Sequence, residues 1–317
     1  MAGTLAVDAT VLVVGILLLY VGAELLVSAA SALALSHGVR AATVGVTVVA
    51  FATTAPELFV SSIGALTASD GIALGNIVGS NIANIGLVLG ASALVRPMEV
   101  DDATLYQHGP FMFAAAVALV ALGLDGSIGT LDGLALLALL AAFTGYLYYK
   151  AREGDAALPE EMEVDDASMT AGAREYLTLA AAIVLLLAGS RALIDGGRGV
   201  LLAWGFGDLF IGLTIIAFGT SVPELATSLV SAYRGESGFS VGNVVGSNIY
   251  NVLAVIGVVA VAVPISVEQS TVSYEFPVLL AFTVAALAIM ALGDRITRVE
   301  GVGLLAGYVG FLYFLLP

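Results

Sequence analysis

The chain contains itself twice. Residues 45–58, GVTVVAFATTAPEL, return as GLTIIAFGTSVPEL at 212–225, and residues 75–84, GNIVGSNIAN, return as GNVVGSNIYN at 242–251. Both pairs stand 167 positions apart, and the same offset lays Gly22 on Gly189, Gly38 on Gly205, Pro97 on Pro264 and Pro110 on Pro277. An ungapped register over that length makes the duplicated unit a whole half of the chain, and a repeat on this scale dictates architecture before any local feature does.

What one half can be follows from its solvent. The 317 residues are 60% hydrophobic and 11% charged, with a mean hydropathy of +1.05; a water-facing domain carries about 25% charged residues. Most of the surface must therefore face lipid. Apolar runs long enough to cross a bilayer, ~20 residues of helix each, are expected at 9–33, 39–65, 71–94, 108–124, 129–149, 174–201, 208–233, 238–263, 272–292 and 299–316. No Lys or Arg precedes the first, so it reads as a retained span and not as a cleaved signal. The expected fold is an all-α polytopic membrane protein of about ten transmembrane helices. Residues 1–150 form the first five-helix repeat, 151–172 an acidic linker and 173–317 the second repeat. Tyr146, Tyr148, Tyr149 and Trp204, near span ends, read as an aromatic belt.

Five is odd, so the second copy enters the membrane from the opposite face, giving the inverted-topology repeat typical of secondary transporters. Basic residues fix the orientation. Loops after odd-numbered spans hold eight (Arg40, Arg96, Lys150, Arg152, Arg174, Arg234, Arg295, Arg298), and the opposite side only Arg191 and Arg198. This places the linker in the cytoplasm and both termini outside a cell membrane.

Several chemistries are excluded at once. The chain has no cysteine and two histidines, His37 and His108, so disulfides, thiolate nucleophiles and Cys-ligated metals are absent. No H-E-x-x-H ligand set or nucleophile–base pair exists, and no GK[ST] follows the Gly-rich segments; enzyme, resident-cofactor and phosphate-loop readings fail. A net charge of −15 argues against nucleic acid. The expected partners are the bilayer and small cations, with no obligate protein partner. His37 reads as a loop residue, and His108 and Glu24 as residues of the membrane interface.

Ionisable residues at membrane depth are functional candidates by default. Glu57 and Glu224 fall midway along the second and seventh spans at mated positions, each after a proline, Pro56 or Pro223. A proline inside a helix removes a backbone hydrogen bond and pushes on the carbonyl of residue i−4. It would loosen the carbonyls of Ala52 and Thr53 in one copy, and of Gly219 and Thr220 in the other. Lipid cannot satisfy bare carbonyls, so such breaks survive only where they are buried or line a wet cavity. Asn76, Ser80 and Asn84 at i, i+4, i+8 form one helix stripe, repeated by Asn243, Ser247 and Asn251. Glycines 75, 79, 242 and 246 between them permit close helix approach. Two carboxylates among hydroxyl, amide and carbonyl oxygens suit a hard cation such as Ca2+ or Na+.

The motifs ATTAPEL (52–58) with GNIVGSNIAN (75–84), and GTSVPEL (219–225) with GNVVGSNIYN (242–251), strongly resemble the two signature repeats of the sodium/calcium exchanger family, within the calcium/cation antiporter superfamily. The likeness covers the full chain and matches the compact prokaryotic type. It implies antiport of about three Na+ for one Ca2+ by alternating access. It further implies ion sites at Glu57 and Glu224, Asn84 and Asn251, Ser80 and Ser247, Thr53, Thr54, Thr220 and Ser221, with the backbone carbonyls of Ala50 and Ala217. Asn251 stands where several exchangers carry Asp, which argues against K+ co-transport, and Ala52 replaces the usual glycine. The alternatives are a Ca2+/H+ antiporter of the same superfamily and a cation channel.

Overall fold

The computed structural model describes residues 2–36, 41–54, 57–58, 61–62, 65, 70–153, 172–204, 220–293 and 295–315. The protein is mostly helical. Besides helical residues at 57–58, 61–62 and 65, the described helical segments are α1 (Ala2–Ser36), α2 (41–53), α3 (70–95), α4 (Thr104–Gly123), α5 (Thr130–Glu153), α6 (Ala173–Ala203), α7 (Val222–Arg234), α8 (Ser237–Ala262), α9 (Thr271–Leu292) and α10 (Arg298–Leu315). Seven of them, α1, α3, α4, α5, α6, α8 and α9, are long and apolar enough to cross a bilayer, which makes this a multi-pass membrane protein. The start of the seventh expected span, most of the acidic linker, His37 and Ala217 lie outside the described residues.

Sequence decides which helices sit inside. In α3 and α8, 78% of the spanning window is buried, against 22% to 33% in the other five. These two carry the Asn, Ser and Gly stripes, whose polar groups must be satisfied away from lipid. The outer helices are apolar on every side, and Val13, Leu17, Val184 and Val284 face outward. Each central helix changes pitch partway. A π-helical turn begins at Asn84 in α3 and at Asn251 in α8, and a second mated pair, Thr104–His108 and Thr271–Glu275, opens α4 and α9. Such turns concentrate at functional sites.

The halves are interlocked. Strand β1 (Met98–Glu99), between α3 and α4, pairs antiparallel with β4 (Arg295–Ile296), between α9 and α10; β2 (Ser127–Ile128), between α4 and α5, pairs with β3 (Ile265–Ser266), between α8 and α9. The repeat offset carries β1 onto β3, and β2 onto β4 within one residue, so each strand pairs with the mate of the other. The two ribbons lie at opposite ends of α4 and α9. Helix packing follows the same rule: Gly301 of α10 abuts the Gly90 carbonyl of α3, and Gly133 of α5 abuts the Gly257 carbonyl of α8.

α1 and α6 form a pair with an apolar cluster separate from the main core, built around Leu19, Leu26, Leu186, Val230 and Phe239. They run antiparallel: Gly15 lies against Gly189 and Leu193, Gly22 against Ala182 and Leu186, and Gly196 against Asp8 and Leu12. A methyl group at Gly15 would fall 2.6 Å from the Leu193 nitrogen, so the backbones touch. Glu24 of α1 pairs with Arg234, at the C-terminal end of α7, at 3.1 Å. His108, in the opening turn of α4, is 1% exposed and packs edge-on to Phe143.

Candidate ion-binding site

Among the described residues, α2 ends at Thr53, and Thr54, at ψ −6°, forms a turn just before the first proline. In the second copy, Thr220 and Ser221 form a turn, and α7 starts at Val222 with Pro223 in its first turn. There a proline costs nothing, because the first N–H groups of a helix have no partner to lose. Glu224 consequently stands in the first turn of α7, where the aligned N–H groups favour a negative charge. Pro56 lies outside the described residues; Leu58 donates its backbone N–H to the Thr54 carbonyl at 3.2 Å.

Among the residues expected at the site, Thr53, Ser80, Thr220 and Ser247 meet beside the two glutamates. Glu57 and Glu224 are both 0% exposed and lie within electrostatic reach of one another. Thr220 flanks the Glu57 carboxylate, and Thr53 and Ser247 flank that of Glu224. Across the boundary between halves, Thr53 Oγ1 lies 3.4 Å from Ser247 Oγ and Thr220 Oγ1 lies 3.4 Å from Ser80 Oγ. The Ala50 carbonyl accepts the Thr54 N–H at 3.0 Å and lies 3.3 Å from Thr53 Oγ1.

Hydrogen bonding is incomplete at fourteen buried side-chain atoms among the described residues, Ser92, Thr104, His108, Thr227 and Ser231 contributing one each. Both carboxylate oxygens of Glu57 and of Glu224, both amide atoms of Asn84, the amide oxygen of Asn251, and the hydroxyls of Thr54 and Ser221 are buried without a hydrogen-bond partner. These are three mated pairs under the repeat offset. Buried polar atoms are ordinarily satisfied, and leaving one unmet costs about 1–3 kcal/mol. Oxygens of this kind, two acids among them, are the donor chemistry that a hard cation such as Ca2+ or Na+ takes. No group of three or more His, Cys, Asp or Glu gathers among the described residues, so this set carries two acids and otherwise neutral oxygens.

Two residues escaped the sequence reading. Asn81 accepts a hydrogen bond from Asn251 Nδ2 at 3.3 Å, which leaves the Asn251 oxygen unpartnered, while its mate Asn248 bonds back to the Val244 carbonyl at 2.8 Å. The signal was present in the repeated Ser-Asn dipeptides, 80–81 and 247–248, but an i, i+4, i+8 stripe passes over them.

A family model described as sodium/calcium exchanger protein matches residues 8–149 and again 175–316. The chain belongs to the sodium/calcium exchanger family. The two matches start, and end, 167 residues apart, the offset of the internal repeat. This exchanger is 36% identical to CaxA of Alkalimonas amylolytica over 309 residues, covering 95% of this chain and 96% of that one. It is 30% identical to the sodium/calcium exchanger MaX1 of Methanosarcina acetivorans over 346 residues, covering 98% and 99%. Its fold matches a solved structure of the sodium-calcium exchanger NCX_Mj, soaked with 10 mM Na+ and zero Ca2+, with a TM-score of 0.84 at 29% identity over 98% and 99% of the two chains. Transport is what the family does, and Na+ and Ca2+ are the ions it carries.

Proposed function

We propose that this exchanger drives Ca2+ out of the cell with the inward Na+ gradient, both ions competing for one cage around Glu57 and Glu224. The observation that carries this is the set of mated buried oxygens without hydrogen-bond partners. Asn84, Asn251, Ser80, Ser247, Thr53, Thr54, Thr220, Ser221 and the Ala50 and Ala217 carbonyls complete the ligand set. Two carboxylates neutralise one Ca2+. Emptied, they leave two bare charges in a medium where moving charge is costly, so the empty site resists crossing and exchange is favoured over leak.

The supporting architecture is a pair of five-helix repeats of inverted topology, ten spans in all, with external termini and a cytoplasmic linker. The antiparallel packing of α1 on its repeat mate α6 and the exchanged strand pairs favour that arrangement. The α1–α6 pair, joined by its glycine seam and seated through an apolar cluster on Val222, Val230 and Phe239 of α7 and α8, slides as one body past the core to open each face in turn.

Coupling is tested in proteoliposomes by radioactive Ca2+ uptake under a Na+ gradient or a pH gradient. Uptake should be saturable, follow the Na+ gradient and ignore a pH gradient imposed alone. Uptake that follows the pH gradient would make the protein a Ca2+/H+ antiporter, and unitary currents would make it a channel.

A further inference from the structure

The sequence stripe placed Asn76 and Asn243 among the cage oxygens, but the structure turns both amides away from the carboxylates. Asn243 is 0% exposed. Its Nδ2 donates to Ser228 Oγ at 3.1 Å and lies 3.4 Å from the Glu224 backbone carbonyl, which leaves its Oδ1 facing Thr53. The other half repeats the pattern at the same offset: Asn76 Nδ2 donates to Ser61 Oγ at 3.1 Å, and Asn76 Oδ1 faces Thr220. Ser61 and Ser228 are both 0% exposed.

A threonine hydroxyl has one proton to give and two lone pairs. The nearest acceptor for Thr53 is Asn243 Oδ1 at 3.2 Å, ahead of the Ala50 carbonyl at 3.3 Å and Ser247 at 3.4 Å. Thr220 is 3.3 Å from Asn76 Oδ1. With each proton drawn off to an amide, the hydroxyl that flanks each glutamate has none left to give it; Thr53 and Thr220 stand close to the carboxylates, yet no carboxylate oxygen has a partner in good hydrogen-bond geometry. Instead, a hydroxyl lone pair is left for the space the carboxylates share.

We infer that Asn243 and Asn76, oriented by Ser228 and Ser61, are positioning residues that commit the Thr53 and Thr220 hydroxyl protons outward, so that both hydroxyls meet a cation as acceptors. Without them the hydroxyls turn to donate to Glu224 and Glu57, and a cation must first break those bonds. This rests on the ion-cage reading above and adds residues that do not touch the ion.

The test is a double-mutant cycle on the full chain in proteoliposomes, reading KM for Na+ and for Ca2+ with a melting temperature for each variant. Asn243→Leu should raise both KM values about tenfold, the worth of one hydrogen bond, and Thr53→Ala should do about the same. In the Thr53→Ala background, Asn243→Leu should add almost nothing, because its effect passes through that hydroxyl. Ser228→Ala, which frees the amide to turn and removes little volume, should shift KM the same way by a smaller factor; it carries the cycle if Asn243→Leu does not fold. Additive effects, or a KM unmoved by both Asn243→Leu and Ser228→Ala while Thr53→Ala raises it, overturn the inference and leave the cage standing. A KM unmoved by Thr53→Ala overturns both.

Discussion

Glu57→Gln and Glu224→Gln should each abolish Ca2+ uptake driven by a Na+ gradient, with the loss in Ca2+ affinity reaching roughly two to three orders of magnitude. The size follows from removing one partner of a buried charge set, which costs about 3–5 kcal/mol, at about 1.4 kcal/mol per tenfold. Stability should move the other way. In ion-free buffer the parent holds two acids buried with no hydrogen-bond partner, and glutamine removes that burden, so each variant should melt no lower than the parent. Ca2+ binds only the folded parent and should raise its melting temperature, while the variants should show little shift. Full uptake in either variant, or an undiminished Ca2+ stabilisation, would remove that glutamate from the site.

The second large effect is expected far from the ions. Gly196→Leu should cut exchange by more than about tenfold and lower the melting temperature, because overpacking a tight contact costs about 1–3 kcal/mol even when side chains can yield. Here they cannot: the new Cβ would lie 2.7 Å from the Asp8 carbonyl oxygen and closer still to the Leu12 nitrogen, both main chain. The seam must then open, and α1 and α6 no longer move as one body. Gly145→Leu on α5 is the matched control, since that glycine is exposed and has nothing within 4 Å of its Cβ position. Equal behaviour of the two variants would show that the seam is not needed for transport.

Much of this was legible because the chain is written twice. The offset of 167 picked out Glu57 with Glu224 and Asn84 with Asn251, and hydropathy located the spans because lipid leaves few alternatives to the helix. Other features leave no periodic trace. The strands at 98–99, 127–128, 265–266 and 295–296 are two residues long and held by partners far along the chain. The start of α7 at Val222 depends on which residue yields when the span breaks, and Pro223 suits a kink as well as a first turn. The ion pair of Glu24 with Arg234 joins positions 210 apart in sequence, which no local pattern announces. The roles of Asn76 and Asn243 turned on which way an amide points, and their spacing alone cannot say.

The exchanged ribbons have an implication for how such a molecule is assembled. A half translated by itself would find no complement for either strand and no seat for its last helix. In the proposed inverted arrangement, its mate is a second polypeptide inserted the other way up. Cutting the chain in the hydrophilic stretch between the halves, and supplying both pieces to one membrane, should therefore rebuild a working exchanger, since what joins the halves is their mutual embrace and not the tether.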